Sequence, residues 1–476
     1  MEYKTIVGLE IHVQLQTKSK AFCHCKNDYG SEPNKNVCPI CLGLPGALPY
    51  LNEKAVEYAV KTGLSLNCDI QPKSSFDRKN YFYPDLTKGY QITQNFHPIC
   101  KKGYIIIEDK DNNKKSISLQ RIHLEEDTGK SNHKNEETTL MDYNRCGVPL
   151  IEIVTNPDIN SGFEARMFLE KLRQTLLHIG VSDCKMEEGS MRCDVNVNIV
   201  SKDGKKKSAI TEIKNLNSFR AVEKAIEFEE KRQSLMLENG EEELKTTRRW
   251  DDAKGETILM RVKYTAEDYR FAPEGDLPDL ILDKAYIDKI RSDMPESLDE
   301  RIIRLQREYK ISEYESKIFA YDDDLNQYFE KLCKLFDNSN LVSNWIINEL
   351  LRRINDDEDD INNLKFSLED FANLLKLLSE EKINNNTAKK VFRKMYEEGI
   401  EPKSYIEENN LIQINDDSFV LKLIDDVLKE NEQSVIDYKN GKDRALGYLM
   451  GQIMKKSRGK ANPAKVNEIL VEKLQK

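Results

Sequence analysis

No apolar run in the 476 residues approaches the roughly eighteen needed to cross a bilayer, and 33% of the chain is charged, so no membrane partner is expected. The first residues, MEYKTIVGLE, lack the basic-then-apolar shape of a secretory signal and go straight into a strand pattern. A cytoplasmic location is the expectation. No GxxxxGK[ST] occurs, so a nucleotide, if used, is not held by a Walker-type loop. No HExxH occurs, which argues against a zinc peptidase. Strong charge of one sign is also missing. A net charge of −10 excludes a protein that wraps nucleic acid over its whole surface. The charge is unevenly spread, however: residues 441–476 hold nine Lys or Arg against three Asp or Glu, a balance of +6 that leaves −16 for the first 440. The C-terminal end is a basic module on an acidic protein.

The length gives room for about three domains. Up to about residue 290, short alternating runs such as YIIIED, SISLQRIHLEED, VPLIEIVT, MRCDVNVNIV and SAITEIKNL predict strands. Apolar residues at three- and four-residue spacing predict helices over 53–64, 162–180 and 218–238. From about residue 297, strand signals nearly vanish and helix follows helix, with acidic and Asn-rich connectors such as NDDEDDIN between them. The expected architecture is α+β: a sheet-rich domain over 1–295 with a cysteine-rich insert at about 20–45, an all-helical domain over 296–405, and a small helical tail domain over 406–476.

What is present in quantity is cysteine, ten residues, read as reduced thiols and metal ligands. In AFCHCKNDYGSEPNKNVCPICLGLPG, Cys23 and Cys25 flank one residue, twelve residues intervene, and Cys38 and Cys41 flank two. Two thiolate pairs on turns can close the tetrahedral sulfur site that zinc prefers. With all four positions filled by protein, no place remains for a reacting water, and the zinc is structural.

Acids sit where strands make them costly. VGLEIHVQL alternates Val7, Leu9, Ile11, Val13 and Leu15 with Gly8, Glu10, His12 and Gln14, so one face of a strand carries a carboxylate beside an imidazole. SISLQRIHLEED places His123, Glu125 and Asp127 on one face, just after Arg121. Glu152 stands alone in the aliphatic VPLIEIVT, where an unpaired carboxylate would be costly to desolvate. MRCDVNVNIV sets Arg192, Asp194, Asn196 and Asn198 on one face, and TEIKN adds Glu212 and Lys214. If these faces converge, they form an oxygen-rich site with imidazole, suited to Mg2+ and phosphate chemistry.

Cations and rings cluster in SSFDRKNYFYPDLTKGYQITQ, with Arg78, Lys79, Tyr81, Tyr83, Lys88 and Tyr90, as nucleotide or tRNA-end contacts would require. Arg248, Arg249, Arg261, Lys263 and Arg270 are further candidates. Near the C-terminus, Ala445, Leu446, Leu449, Met450, Ile453 and Met454 form one apolar helical face ended by Gly459, and a second face follows Pro463. Lys455, Lys456, Arg458, Lys460 and Lys465 crowd the turn between them, a positive corner suited to a nucleic-acid backbone.

Taken in order, GLEIHVQL, VCPICLGLPGALP, FDRKNYFYPDLTKGYQITQ, IHLEEDTGK, MDYNRCGVPLIEIVTNPD, EGSMRCDVNVNI, TEIKNLNSF and GKANPAKVNEIL resemble the blocks of one family over the whole chain: the B subunit of the aspartyl/glutamyl-tRNA amidotransferase. The resemblance implies a heterotrimer with an A subunit of amidase type and a small C subunit, in which ammonia released from glutamine by the former is channelled to this chain. It implies a carbon–nitrogen ligase that uses ATP to phosphorylate the side-chain carboxylate of Glu-tRNA(Gln) or Asp-tRNA(Asn) in a catalytic cradle domain. Glu10, His12 and Glu125 match the family's Mg2+-binding block, with Glu152, Asp194 and Glu212 as nearby candidates. Lys79, Arg145, Arg192 and Lys214 are then expected to touch phosphate or the substrate carboxylate. Two departures stand out: Val262 and Tyr264 flank Lys263 where the family commonly has serine and glutamate, and Gly275 replaces a proline after Glu274. A catalytically silent tRNA-binding scaffold is the rival reading, but it gives no use to mid-strand carboxylates.

Overall fold

Period-two alternation builds the first part of the molecule. The structure is a computed structural model and describes residues 3–133, 138–262, 269–412, 417–439, 442, 444–457, 461 and 463–475. In β1 (Tyr3–Gln14), Val7, Leu9, Ile11 and Val13 are at most 1% exposed while the residues between them are partly open. One face is therefore dry and the other wet.

β1 lies within a ten-stranded sheet. Its major partners are β2 (Lys114–Glu126), β3 (Pro149–Thr155), β4 (Met191–Ser201), β5 (Thr211–Lys214), β6 (Thr246–Asp251) and β7 (Glu256–Val262). The order across it runs β7-β6-β5-β4-β1-β3-β2 and ends on two short strands, Cys100–Lys101 and Asp69–Ile70, while Tyr104–Glu108 pairs β2 off this path. Neighbours on the main path are antiparallel except β5 and β6, which run parallel.

The dry face is covered by α1 (Glu53–Ser65), α2 (Gly162–His178) and α3 (Phe219–Glu238), which contribute Val60, Phe168, Leu172 and Val222 to the core beneath β1. Each buried aliphatic or aromatic side chain of this kind contributes about 1.5–3 kcal/mol, as an upper estimate. The helices begin where a side chain can satisfy a free N–H: Asn52, Ser161 and Ser218 each accept from the first turn. At Gly162 a Cβ would stand 2.4 Å from the carbonyl oxygen of Glu223, so only glycine permits the approach of α2 to α3. A separate three-stranded sheet pairs Asp77–Asn80 with both Tyr90–Thr93 and Arg270–Pro273.

The chain divides into two compact units, Met1–Ser297 and Leu298–Lys476. The regular elements among the second unit's described residues are all helices. One of its cores gathers Phe319, Phe329, Phe371, Phe392 and Trp345. Within the helical stretch LVSNWIINELLRRI, Ile346–Leu350 is a π-helical segment, where Glu349 is buried and paired with Arg353 and Lys389. A further core joins Val420, Ile424 and Val427 of helix Asp417–Glu430 to Leu449 and Ile453 of Arg444–Lys456 and to Val466, Leu470 and Leu474 of Pro463–Gln475. Met450 and Met454 pack against it as expected of core side chains. Arg458, Gly459 and Lys460 lie outside the described residues.

Candidate functional site

Register brings the wet-face residues together. His12 stands opposite Glu152 on β3 and Arg192 on β4, Glu10 opposite Asp194, Glu152 opposite His123 on β2, and Asn196 opposite Glu212 on β5. The His12 Nε2 atom lies 3.4 Å from Glu125 and 3.6 Å from Glu152. His123 Nε2 lies 3.1 Å from Glu152 and 3.6 Å from Glu125. Thr93 Oγ1 donates to Glu125 at 3.1 Å. His12, Glu125 and Glu152 each offer a ligand atom within 4.8 Å of the others. Two carboxylates and an imidazole, with space in front of them, fit a Mg2+ ion that keeps water or phosphate as its other ligands.

These groups set one another's protonation. Burial works against the charged form of each, but the two glutamates outweigh it and lift His123 to about 9, and His12 is raised as well. Conversely, burial would raise Glu152, yet His123 and His12 hold it down to about 2, and Glu125 is likewise held well below its ordinary value. Each imidazole thus faces both carboxylates, a donor set that a divalent cation would take up in competition with protons.

A second group adjoins it. Lys214 Nζ donates to Asp194 and lies 3.0 Å from Glu212. Glu212 also accepts from Thr247 Oγ1 at 2.9 Å, and Asn196 donates to Glu10 at 3.0 Å. Burial, with Glu152, Asp194 and Glu212 around it, raises the Glu10 carboxyl. Both groups line one cavity of about 550 Å³. Its other cations are Lys79, Arg121, Lys245 and Arg261. Lys79 reaches it from Asp77–Asn80, with its ammonium 4.4 Å from the centre of the Tyr269 ring.

Several expected residues point elsewhere. Neither Arg145 nor Arg192 lines the cavity. Arg192 donates to Asp127 at 3.0 Å, and Arg145 donates to the carbonyls of Thr128 and Gly129 and lies 3.6 Å from Asp127. Arg78 makes a two-pronged pair with buried Glu274 and a further contact with Asp276, so it ties Asp77–Asn80 to the 274–276 turn. Arg248 is spent on Thr257 and Glu229. Lys263 and Tyr264 lie outside the described residues. In the other direction, His123 belongs in the cluster as much as His12 does, and the alternation that exposed Glu125 also marks it. Arg121 had the same signal; Lys245, just before β6, had none.

Asp127 shows what these guanidiniums do. Its burial would raise the carboxyl, but Arg192 and Arg145 overcome that and hold it below its ordinary range. Asp127→Asn is expected to cost about 2–4 kcal/mol of stability, below the full range for a buried pair because water still screens the guanidiniums. The guanidinium side chains are 32% and 33% exposed. Because the folded value is depressed, this stability is present above the unfolded value of about 3.9 and lost as pH falls through the lower folded one. Denaturant titrations from pH 3 to 7 should show the two proteins converging at the acid end; a constant gap would refute the assignment.

The second candidate metal centre lies in the Lys20–Tyr50 loop. Cys41 Sγ is 3.5 Å from Cys23, 3.4 Å from Cys38 and 3.5 Å from Cys25, and all four sulfurs lie within 4.8 Å of one another. Tetrahedral zinc with bonds of about 2.3 Å needs sulfurs about 3.8 Å apart, so the donor set fits. Cys38 N–H donates to Cys41 Sγ at 3.3 Å.

Comparison with known proteins agrees with this layout. Residues 5–288 match the model of the GatB/GatE catalytic domain, and residues 327–474 match that of the GatB domain. An aspartyl/glutamyl-tRNA(Asn/Gln) amidotransferase B subunit from Finegoldia magna is 49% identical over 474 residues, covering all of both chains. Proteins of the same name from Caldicellulosiruptor saccharolyticus and Clostridium tetani are 49% and 46% identical, again over the full length of both chains.

Proposed function

The chain belongs to the family of aspartyl/glutamyl-tRNA(Asn/Gln) amidotransferase B subunits, and from that premise we propose that it activates and amidates the side-chain carboxylate of Glu-tRNA(Gln), Asp-tRNA(Asn) or both, at the expense of ATP. A carboxylate is a poor electrophile. Its attack on the γ-phosphorus of ATP releases ADP and gives an acyl phosphate, and ammonia then displaces phosphate to leave the amide. The observation that carries the reading is one cavity lined by five carboxylates (Glu10, Glu125, Glu152, Asp194 and Glu212), two imidazoles and several cations.

His12, Glu125 and Glu152 would hold Mg2+, which when bound neutralises charge on the transferring phosphoryl group. Lys79, Lys245 and Arg261 supply fixed positive charge along the same wall. Lys214, Asp194, Glu212 and Glu10 form the adjoining wall. Arg145 and Arg192 act one step back, through Asp127. Ammonia comes from glutamine hydrolysed by an A subunit of amidase type, and a small C subunit makes up the heterotrimer in the cytoplasm, where charged tRNA is consumed. Residues 1–295 form the catalytic cradle with structural zinc on Cys23, Cys25, Cys38 and Cys41; 296–405 form the helical domain; 406–476 form the tRNA-binding tail.

The test is the reconstituted complex given Glu-tRNA(Gln), glutamine, Mg2+ and ATP. Amide should form with one ADP per turnover. Amidation at the same rate without ATP overturns the reading, and nucleotide-independent tRNA binding with no amidation favours the scaffold. For the tail, Lys455, Lys456, Arg458, Lys460 and Lys465 are the proposed phosphate contacts. Deleting 441–476 would also strip Leu449, Ile453 and Val466 from the core of helix Asp417–Glu430, so point changes are cleaner. Lys455→Ala with Lys465→Ala should weaken tRNA binding about threefold to tenfold and lower the salt slope by about 1–2. An unchanged slope would remove these lysines from the interface.

A further inference from the structure

Lys20 is 0% exposed, and among the described residues it is the only buried lysine. Its stem lies against the Tyr143–Gly147 turn, where a Cβ on Gly147 would stand 3.6 Å from Lys20 Cδ. The ammonium donates to the carbonyl of Asn36 at 2.6 Å and lies 3.5 Å from that of Tyr143 and 3.7 Å from Cys41 Sγ. Among the described residues no carboxylate pairs with it. Carbonyl dipoles satisfy its hydrogens but do not cancel its charge, and a buried cation without a counter-charge is costly. The four thiolates have the opposite excess: on a divalent metal they carry a net charge of 2−. Lys20 is also built into the cysteine loop, since its N–H donates to the carbonyl of Cys25 at 3.0 Å.

We propose that Lys20 is the counter-charge of the metal–tetrathiolate centre: a positioning residue whose ammonium donates to Cys41 Sγ, brings the centre and its surroundings to a net 1−, and fastens it to the Tyr143–Gly147 turn. The ligand class it favours is a divalent, thiophilic ion such as zinc or cobalt. The proposal rests on the zinc reading of the four cysteines.

The test uses the full-length chain loaded with zinc or cobalt, comparing it with Lys20→Met and Lys20→Gln. Zinc content of the unaltered chain is measured first; a chain that takes up neither metal overturns the zinc reading and this proposal together. With metal bound, release to a competing chelator should be at least tenfold faster in both variants. The thiolate-to-cobalt charge-transfer band should move to lower energy, because the cation no longer stabilises the sulfur lone pairs. Wild-type release and band position in both variants overturn the role of Lys20 alone. A purely structural part for Lys20 is separated by the double change Lys20→Met, Cys25→His, which lowers the centre's own charge by one. Loss of Lys20 should then accelerate release much less than in the four-cysteine chain, and an equal acceleration in both backgrounds overturns the proposal. Should Lys20→Met alone fail to fold, recovery of folded, metal-bound protein in the double variant supports it, and equal failure overturns it.

Discussion

Glu125→Gln in the assembled complex is expected to lower ATP-dependent amidation about a thousandfold at saturating tRNA, with tRNA affinity and glutamine hydrolysis nearly unchanged. Glutamine has the same shape, so the 2%-exposed position stays filled and Thr93 keeps an acceptor. What is lost is one negative charge among His12, His123 and Glu152. With a single carboxylate facing two imidazoles, the cluster attracts a divalent cation far less, and the histidines lose one of the two carboxylates that keep their protonation raised. The check is a single-turnover assay of amide formation across a Mg2+ titration, beside filter binding of tRNA. Amidation within threefold of the unaltered complex at low Mg2+ would remove Glu125 from the metal site.

Removing zinc should have the next largest effect. A structural zinc in small peptides is worth about 10–16 kcal/mol of coupled binding and folding, and the cysteine loop has few apolar side chains with which to hold its shape otherwise. Cys38→Ser is expected to abolish stoichiometric zinc, lower the thermal midpoint of the first unit by about 5 °C or more, and reduce amidation at least tenfold. The coupling to the cavity is physical. Thr87 Oγ1 donates to the carbonyl of Cys41 at 2.6 Å, and Gly43 sits so close to Lys88 that a Cβ would stand 2.7 Å from its Cγ. Lys88 in turn pairs with Glu126, the neighbour of Glu125 on β2. Collapse of the loop would free Lys88 and loosen the end of β2 that carries Glu125. Metal analysis, calorimetry and the amidation assay decide the matter: a zinc-free variant with an unshifted midpoint and full activity would refute it.

How far the sequence revealed these sites depended on the range of the interactions that form them. The cysteine pairs were legible because a metal loop is local: spacing alone brings Cys23, Cys25, Cys38 and Cys41 together. The wet face of β1 was legible for a similar reason, since strand alternation fixes the face of Glu10 and His12 without reference to the rest of the chain. Which acids meet was a question of register between strands far apart in sequence, as in His12 opposite Glu152. Pattern could nominate those acids but not pair them. Arg145 and Arg192 illustrate the limit, for nothing in MDYNRCGVPL or SMRCDVN announces that both guanidiniums turn toward Asp127. The π-helical segment at Ile346–Leu350 was equally silent, because apolar spacing in a helix scarcely changes when one residue is added to a turn.

The dry and wet faces of β1 also constrain how this protein can change length. Losing or gaining one residue between Thr5 and Glu10 would exchange the two sets, sending the carboxylate and imidazole into the aliphatic layer and Leu9 and Ile11 into the cavity. Substitution can proceed gradually there, one side chain at a time, but an insertion damages core and cavity wall at a stroke. Length variation is expected instead at exposed turns such as residues 109–113, where the chain reverses between two strands and no alternation has to be kept.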